Sequence, residues 1–151
     1  MRLHGNRIRH GEPNDVKEPT GDPNEIWSFG ERNFEILKDL IMLRERLRPY
    51  IQKQFDTASE KGYPVIRPMF FEYPDDEKCY SLDGQYLFGD DIIFAPIVEQ
   101  GQTVKTVYIP DGEWVLTKDK TVYTKGTYEI HAQLDEFIAF VRAGADVLEC
   151  F

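Results

Sequence analysis

The chain has 151 residues, about one domain's worth, and its 27 acidic against 18 basic side chains leave a formal charge of −9. So acidic a surface repels a phosphate backbone and an anionic bilayer alike, so neither nucleic acid nor membrane is an expected partner. No apolar run approaches the roughly 20 residues of a spanning helix, residues 1–15 lack the apolar core of a secretory signal, and a cytoplasmic location is the expectation. Cys79 and Cys150 are too few and too far apart for a disulfide framework or a zinc site.

Residues 1–30 carry Pro13, Pro19 and Pro23 among Gly5, Gly11, Gly21 and Gly30, and read as a long loop. From Glu31 the period becomes helical. Ile36, Leu40, Leu43, Leu47, Ile51 and Phe55 recur at steps of three or four, with charged residues opposite. Pro49 lies inside this stripe, removes a donor and crowds the preceding turn, so a break is expected near Arg48; Gly62 supplies a stop. Beyond it the pattern shortens: a strand within Tyr63–Phe71, a turn-rich acidic link over Tyr73–Asp83, then strands at Ile92–Val98, Thr103–Ile109, Glu113–Leu116, Thr121–Tyr123, Thr127–His131, Phe137–Arg142 and Val147–Cys150. Turn signals between them predict a small antiparallel sandwich or barrel.

Few residues offer chemistry. Arg2 and His4 alternate and would share one face of a strand, so His4 could hydrogen-bond a substrate hydroxyl or titrate near neutrality. Four residues at a chain end fit a frayed, solvated terminus as well. His10 and His131 have no further ligands at metal spacing, and no metal site is assigned. Asp75-Asp76 and Asp90-Asp91 invite a glycosidase or metal reading, but turn chemistry and solvation account for adjacent acids more simply. Arg44-Glu45-Arg46-Leu47-Arg48 reads as a solvated helix face with Glu–Arg pairs. A phosphate loop, a nucleophile elbow and a Cys–His arrangement are all missing.

Taken in order, Arg2-Leu3-His4-Gly5, the Leu43–Tyr50 segment LRERLRPY, Gly62–Met69 (GYPVIRPM), Glu72–Asp76 (EYPDD), Asp83–Asp90 (DGQYLFGD), Phe94–Val98 (FAPIV), Tyr108–Trp114 (YIPDGEW) and Phe140–Gly144 (FVRAG) resemble the C-terminal part of glycoside hydrolase family 31, the retaining α-glucosidases, α-xylosidases and relatives. The Arg-Leu-His-Gly form and the acidic link are most similar to the α-xylosidase branch. The resemblance implies a fold that is α/β plus all-β: residues 1–83 would be the last strands and helices of a (β/α)8 TIM barrel, and 84–151 a small antiparallel β-sandwich beside it. It further implies that His4 ends the seventh barrel strand and binds the sugar, that Glu31–Glu60 are the following helices, that Pro64–Met69 is the eighth strand, and that the substrate is an α-glycoside or oligosaccharide with no cofactor.

The family's aspartate nucleophile and aspartate acid/base have no counterpart here, so no residue is assigned a catalytic role. A (β/α)8 barrel takes about 250 residues, and a retaining mechanism needs both carboxylates about 5 Å apart. The chain alone is therefore expected to be inactive. Its start at Met1, inside the expected seventh strand, suggests a truncated gene model, a metagenomic fragment or an internal start. The sandwich is expected to fold while residues 1–70 stay mobile or self-associate through the exposed barrel surface. The alternative is a stand-alone β-sandwich module that binds carbohydrate or protein through Tyr108, Trp114, Tyr123 and Tyr128.

Overall fold

The computed structural model describes residues 25–151. The expected loop over residues 1–24, with Arg2, His4 and His10, lies outside them. The chain divides into two compact units at Glu45/Arg46.

In the first unit a 3-10 turn, Ile26–Phe29, leads into helix α1, Glu31–Arg46. Gly30 makes the joint at φ 82°, and Asn33 Nδ2 donates to Phe29 O at 2.8 Å. The predicted stripe is present, yet no residue of α1 is buried, and Leu40 and Met42 are exposed. The residues before it that read as loop include Trp27, 70% exposed.

The helix breaks where Pro49 requires. Leu47 is the joint, and α2 runs from Arg48 to Lys61 with the proline in its first turn, where no donor is missed. Gly62 ends it in the left-handed conformation, its N–H bonded to Ala58 O.

The rest of the second unit is a β-sandwich. Strands β1 (Ile66–Arg67), β2 (Tyr86–Phe88), β3 (Ile92–Phe94), β4 (Val104–Ile109), β5 (Trp114–Leu116), β6 (Val122–Tyr123), β7 (Gly126–His131) and β8 (Ala139–Arg142) form a six-stranded sheet, β1-β2-β3-β8-β5-β6, and a two-stranded sheet, β4-β7. The described pairings are all antiparallel. A four-residue helix α3, Met69–Glu72, and a 3-10 turn, Glu77–Ser81, fill the acidic link.

Alternation sorts the faces. Leu87, Ile93, Trp114, Leu116 and Phe140 of the large sheet meet Val107, Ile109 and Ile130 of the small one, with Met69 and Cys79 closing the core. Gln85 is buried among them because its side chain acts as a strand partner: Nε2 donates to Tyr108 O at 2.7 Å and Oε1 accepts from Tyr108 N at 2.8 Å.

Two expectations change. Val147–Cys150 is not a strand but part of a 3-10 turn, Asp146–Cys150. Gly144, at φ 80°, turns the chain out of β8, and Leu148 N bonds Ala145 O, leaving only Val147 buried. Conversely, Tyr86–Phe88 is a strand unforeseen in the sequence, three residues being too few to show a period. Within Tyr63–Phe71 only Ile66–Arg67 is strand, and it pairs with β2, Ile66 opposite Phe88 and Arg67 opposite Leu87.

Candidate functional site

The densest polar structure surrounds the tight turn Gly89-Asp90-Asp91 between β2 and β3. Gly89 adopts φ 67°, and a Cβ there would stand 2.5 Å from Cδ of Gln54, so α2 lies directly on the backbone. Its N–H donates to Val65 O at 2.7 Å. The Tyr50 hydroxyl clamps the same turn, donating to Phe88 O at 2.8 Å and accepting from Asp91 N at 3.0 Å. Burial raises the Tyr50 phenol well above its usual value, which keeps it protonated in this role.

The two carboxylates of the turn diverge. Asp90 Oδ1 takes Arg67 Nη1 at 2.7 Å, and the same Nη1 also pairs with Glu72. Arg67, fully buried from β1, also donates from Nε to Pro64 O at 2.6 Å and lies 5.5 and 5.6 Å from the Tyr63 and Phe71 rings, while its Nη2 has no hydrogen-bond partner among the described residues. Asp91 instead meets Arg142 Nε at 3.4 Å. Arg142 Nη2 reaches Tyr73 Oη at 3.3 Å and Asp90 O at 3.2 Å, and the guanidinium lies 4.7 Å from the Trp114 ring. Each acid thus has its own arginine. That arrangement suits bracing; it does not suit an acid and a nucleophile sharing one reacting atom.

The other acidic pair behaves similarly. Asp76 accepts from Tyr108 Oη at 2.6 Å, from Lys78 N at 3.2 Å and from Lys125 Nζ at 3.1 Å. The Tyr108 bond, with the lysine beside it, holds the Asp76 carboxyl below its usual range. Burial, and then that bond, pushes the Tyr108 phenol up. Asp75 stays exposed, as turn chemistry predicts. Arg44 and Glu45 stand 3.8 Å apart on an exposed face. Burial pushes the Cys79 thiol up to about 11, so it is a packing group and no nucleophile.

One open cleft of about 630 Å³ lies between α2 and the chain leaving β8, lined among others by Arg46, Tyr50, Lys53, Asp91, Arg142 and Asp146. Its Arg46 edge is tied to the end of the chain by Nε to Cys150 O at 2.9 Å. Among the described residues no group of three or more His, Cys, Asp or Glu is placed to hold a metal ion.

Of the residues singled out in the sequence, His4 lies outside the described part, and His131 is an exposed strand end opposite Val104. The four aromatics offered as a binding surface are corrected. Tyr108 and Trp114 are buried, and Tyr123 packs its ring at 4.9 Å from Tyr128 and 5.3 Å from Phe140. Trp114, Tyr123 and Tyr128 share the core-facing side of their strands, Tyr123 opposite Trp114 and Tyr128 opposite Val107, while Tyr108, on the other face of β4 from Val107 and Ile109, is covered by the acidic link through Asp76 and Lys78. Sequence reasoning missed Arg67 and Tyr50; the only trace was a lone basic residue in an otherwise apolar, proline-bounded strand.

The chain is similar to known proteins over most of its length. Residues 62–146 match the family model described as glycosyl hydrolase family 31 C-terminal domain. An alpha-glucosidase 2 of Bacillus thermoamyloliquefaciens is 39% identical over 82% of this chain, which spans 16% of that protein. The sulfoquinovosidase of Escherichia coli K12 is 31% identical over 97% of this chain and 20% of its own. Among solved structures, an α-xylosidase of the same family from a soil metagenome, complexed with xylose, superposes with a TM-score of 0.86 at 35% identity, over 96% of this chain and 22% of that one.

Proposed function

The chain belongs to glycosyl hydrolase family 31, and from that premise we propose that it is the C-terminal portion of a retaining α-glycosidase, of α-xylosidase or α-glucosidase type, acting on terminal α-linked sugars. The observation that carries this is the similarity to an α-xylosidase structure over 96% of the chain but only 22% of that enzyme. Residues 84–151 then form most of the sandwich beside the barrel and the residues before them the barrel's last helices; Ile66–Arg67, expected as an eighth barrel strand, instead pairs antiparallel with β2 at the edge of the sandwich sheet, and His4 donates a hydrogen bond to the sugar in the pocket.

On this reading the catalytic aspartates are not among these residues. Of the two acid pairs among them, Asp90 and Asp91 are each held by an arginine and Asp76 by Tyr108 and Lys125, while Asp75 stays exposed. The purified 151-residue chain is expected to leave nitrophenyl α-xyloside and α-glucoside intact; saturable turnover of either overturns this. An in-frame upstream continuation encoding the rest of the barrel and both aspartates is the expected genomic finding.

Self-association is the second part of the proposal. Trp27, Phe29, Leu40 and Met42 on the first unit and Ile66 on β1 expose apolar surface that favours burial against another molecule. Sedimentation velocity should show mass rising with concentration, while a single monomeric species throughout would remove it.

A further inference from the structure

We propose that Tyr80, backed by Phe70, is a stacking platform for a neutral α-linked oligosaccharide. The proposal rests on the family reading given above. Tyr80 is the most exposed aromatic of the second unit at 60%, and Phe70 is 39% exposed. Their rings are nearly parallel, 11° apart with centroids at 5.1 Å. Phe70 therefore covers one face of Tyr80 and leaves the other free. The phenol donates to Pro74 O at 3.0 Å, which fixes the ring in advance of any ligand. A rigid, flat, half-wet aromatic face matches the apolar C–H face of a pyranose, whose hydroxyls stay at the rim.

The rim supplies acceptors. Tyr80 lies in the 3-10 turn Glu77–Ser81, where residues three apart stand on one edge, so Glu77 shares its side. Glu77 and Asp75 are exposed and carry no ion pair or hydrogen bond among the described residues, leaving both carboxylates free to accept from sugar hydroxyls. The same two charges repel a sulfonated or carboxylated sugar, so the ligand is neutral. Phe70 comes three residues after β1 ends.

The test is a titration of the 151-residue chain with maltotriose and isomaltotriose, followed by NMR of the Phe70 and Tyr80 rings. Saturable shifts confined to these rings and their neighbours are expected, with affinity reduced about tenfold in Tyr80→Ala, the equivalent of one stacking contact. Tyr80→Phe, which keeps the ring but loses the bond that fixes it, should bind more weakly than the parent and more tightly than Tyr80→Ala, which separates stacking from the phenol's bond. Unmoved rings with both sugars overturn the proposal, as does Tyr80→Ala binding undiminished; the first is the outcome if this surface instead packs against another part of a longer polypeptide. Because binding is read without hydrolysis, failure here is distinct from failure of the glycosidase reading.

Discussion

Arg67 and Asp90 form one ion pair with two unequal ends, and the inequality sets what each substitution does. Arg67 is fully buried while the Asp90 side chain is 45% exposed. Arg67→Met should cost about 3 kcal/mol in urea unfolding, because Glu72 and Asp90 lose their cation and Pro64 O loses its donor. Asp90→Asn should cost no more than about 1 kcal/mol, since water screens its end. Gly89→Ala should cost about 2 kcal/mol or more, as it combines a positive φ with overlap on Gln54. Titration acts at both ends of the pH scale. Asp76 has its folded-state pKa lowered, so its contribution is present above the ordinary carboxyl value of 3.8 and is lost as pH falls below it. Tyr50 and Tyr108 have theirs raised, so their contributions hold below the ordinary phenol value of 10.0 and are lost as pH climbs beyond it. Asp76→Asn should flatten the acid limb of a stability-against-pH curve, and Tyr50→Phe the alkaline limb; unchanged slopes would contradict the assignments.

At the level of elements, β8 lies between β3 and β5, with Phe140 opposite both Ile93 and Leu116. Amide exchange should therefore be slowest in β8 and β3, and fastest in the edge strands β1 and β6, as measured by protection factors on the intact chain. Trp114→Ala, which empties the largest fully buried side-chain site, should cost about 3–5 kcal/mol in the same unfolding experiment. This is also the scale at which the sequence was most readable. The α1–α2 break at Pro49, the Gly62 stop and six of the later strands follow from period and breaker residues. The three-residue β2 did not, because alternation needs length to be seen. The 3-10 turn at Asp146–Cys150 was read as strand because Val-Leu looks the same in either, and only the Gly144 reversal decides between them. The bracing of the turn was invisible for a different reason: Asp90 and Arg67 are 23 residues apart, and nothing local links them.

For the molecule as a whole, family membership was legible because eight short segments keep their order, although no one of them carries it. Packing was the favoured reading of Tyr108, Trp114, Tyr123 and Tyr128 and a binding surface only the alternative, because composition cannot say which face of a strand is inward; Tyr80 became visible only in the structure. The strand order has a last consequence, for the time at which the fold can exist. β8 is made after every strand it joins, yet it alone bridges β1-β2-β3 to β5-β6. While the chain is being synthesised the large sheet can therefore exist only as two unconnected halves, each with an apolar strand edge open to other nascent chains. The interval before residue 139 emerges is when this protein most needs a chaperone's cover.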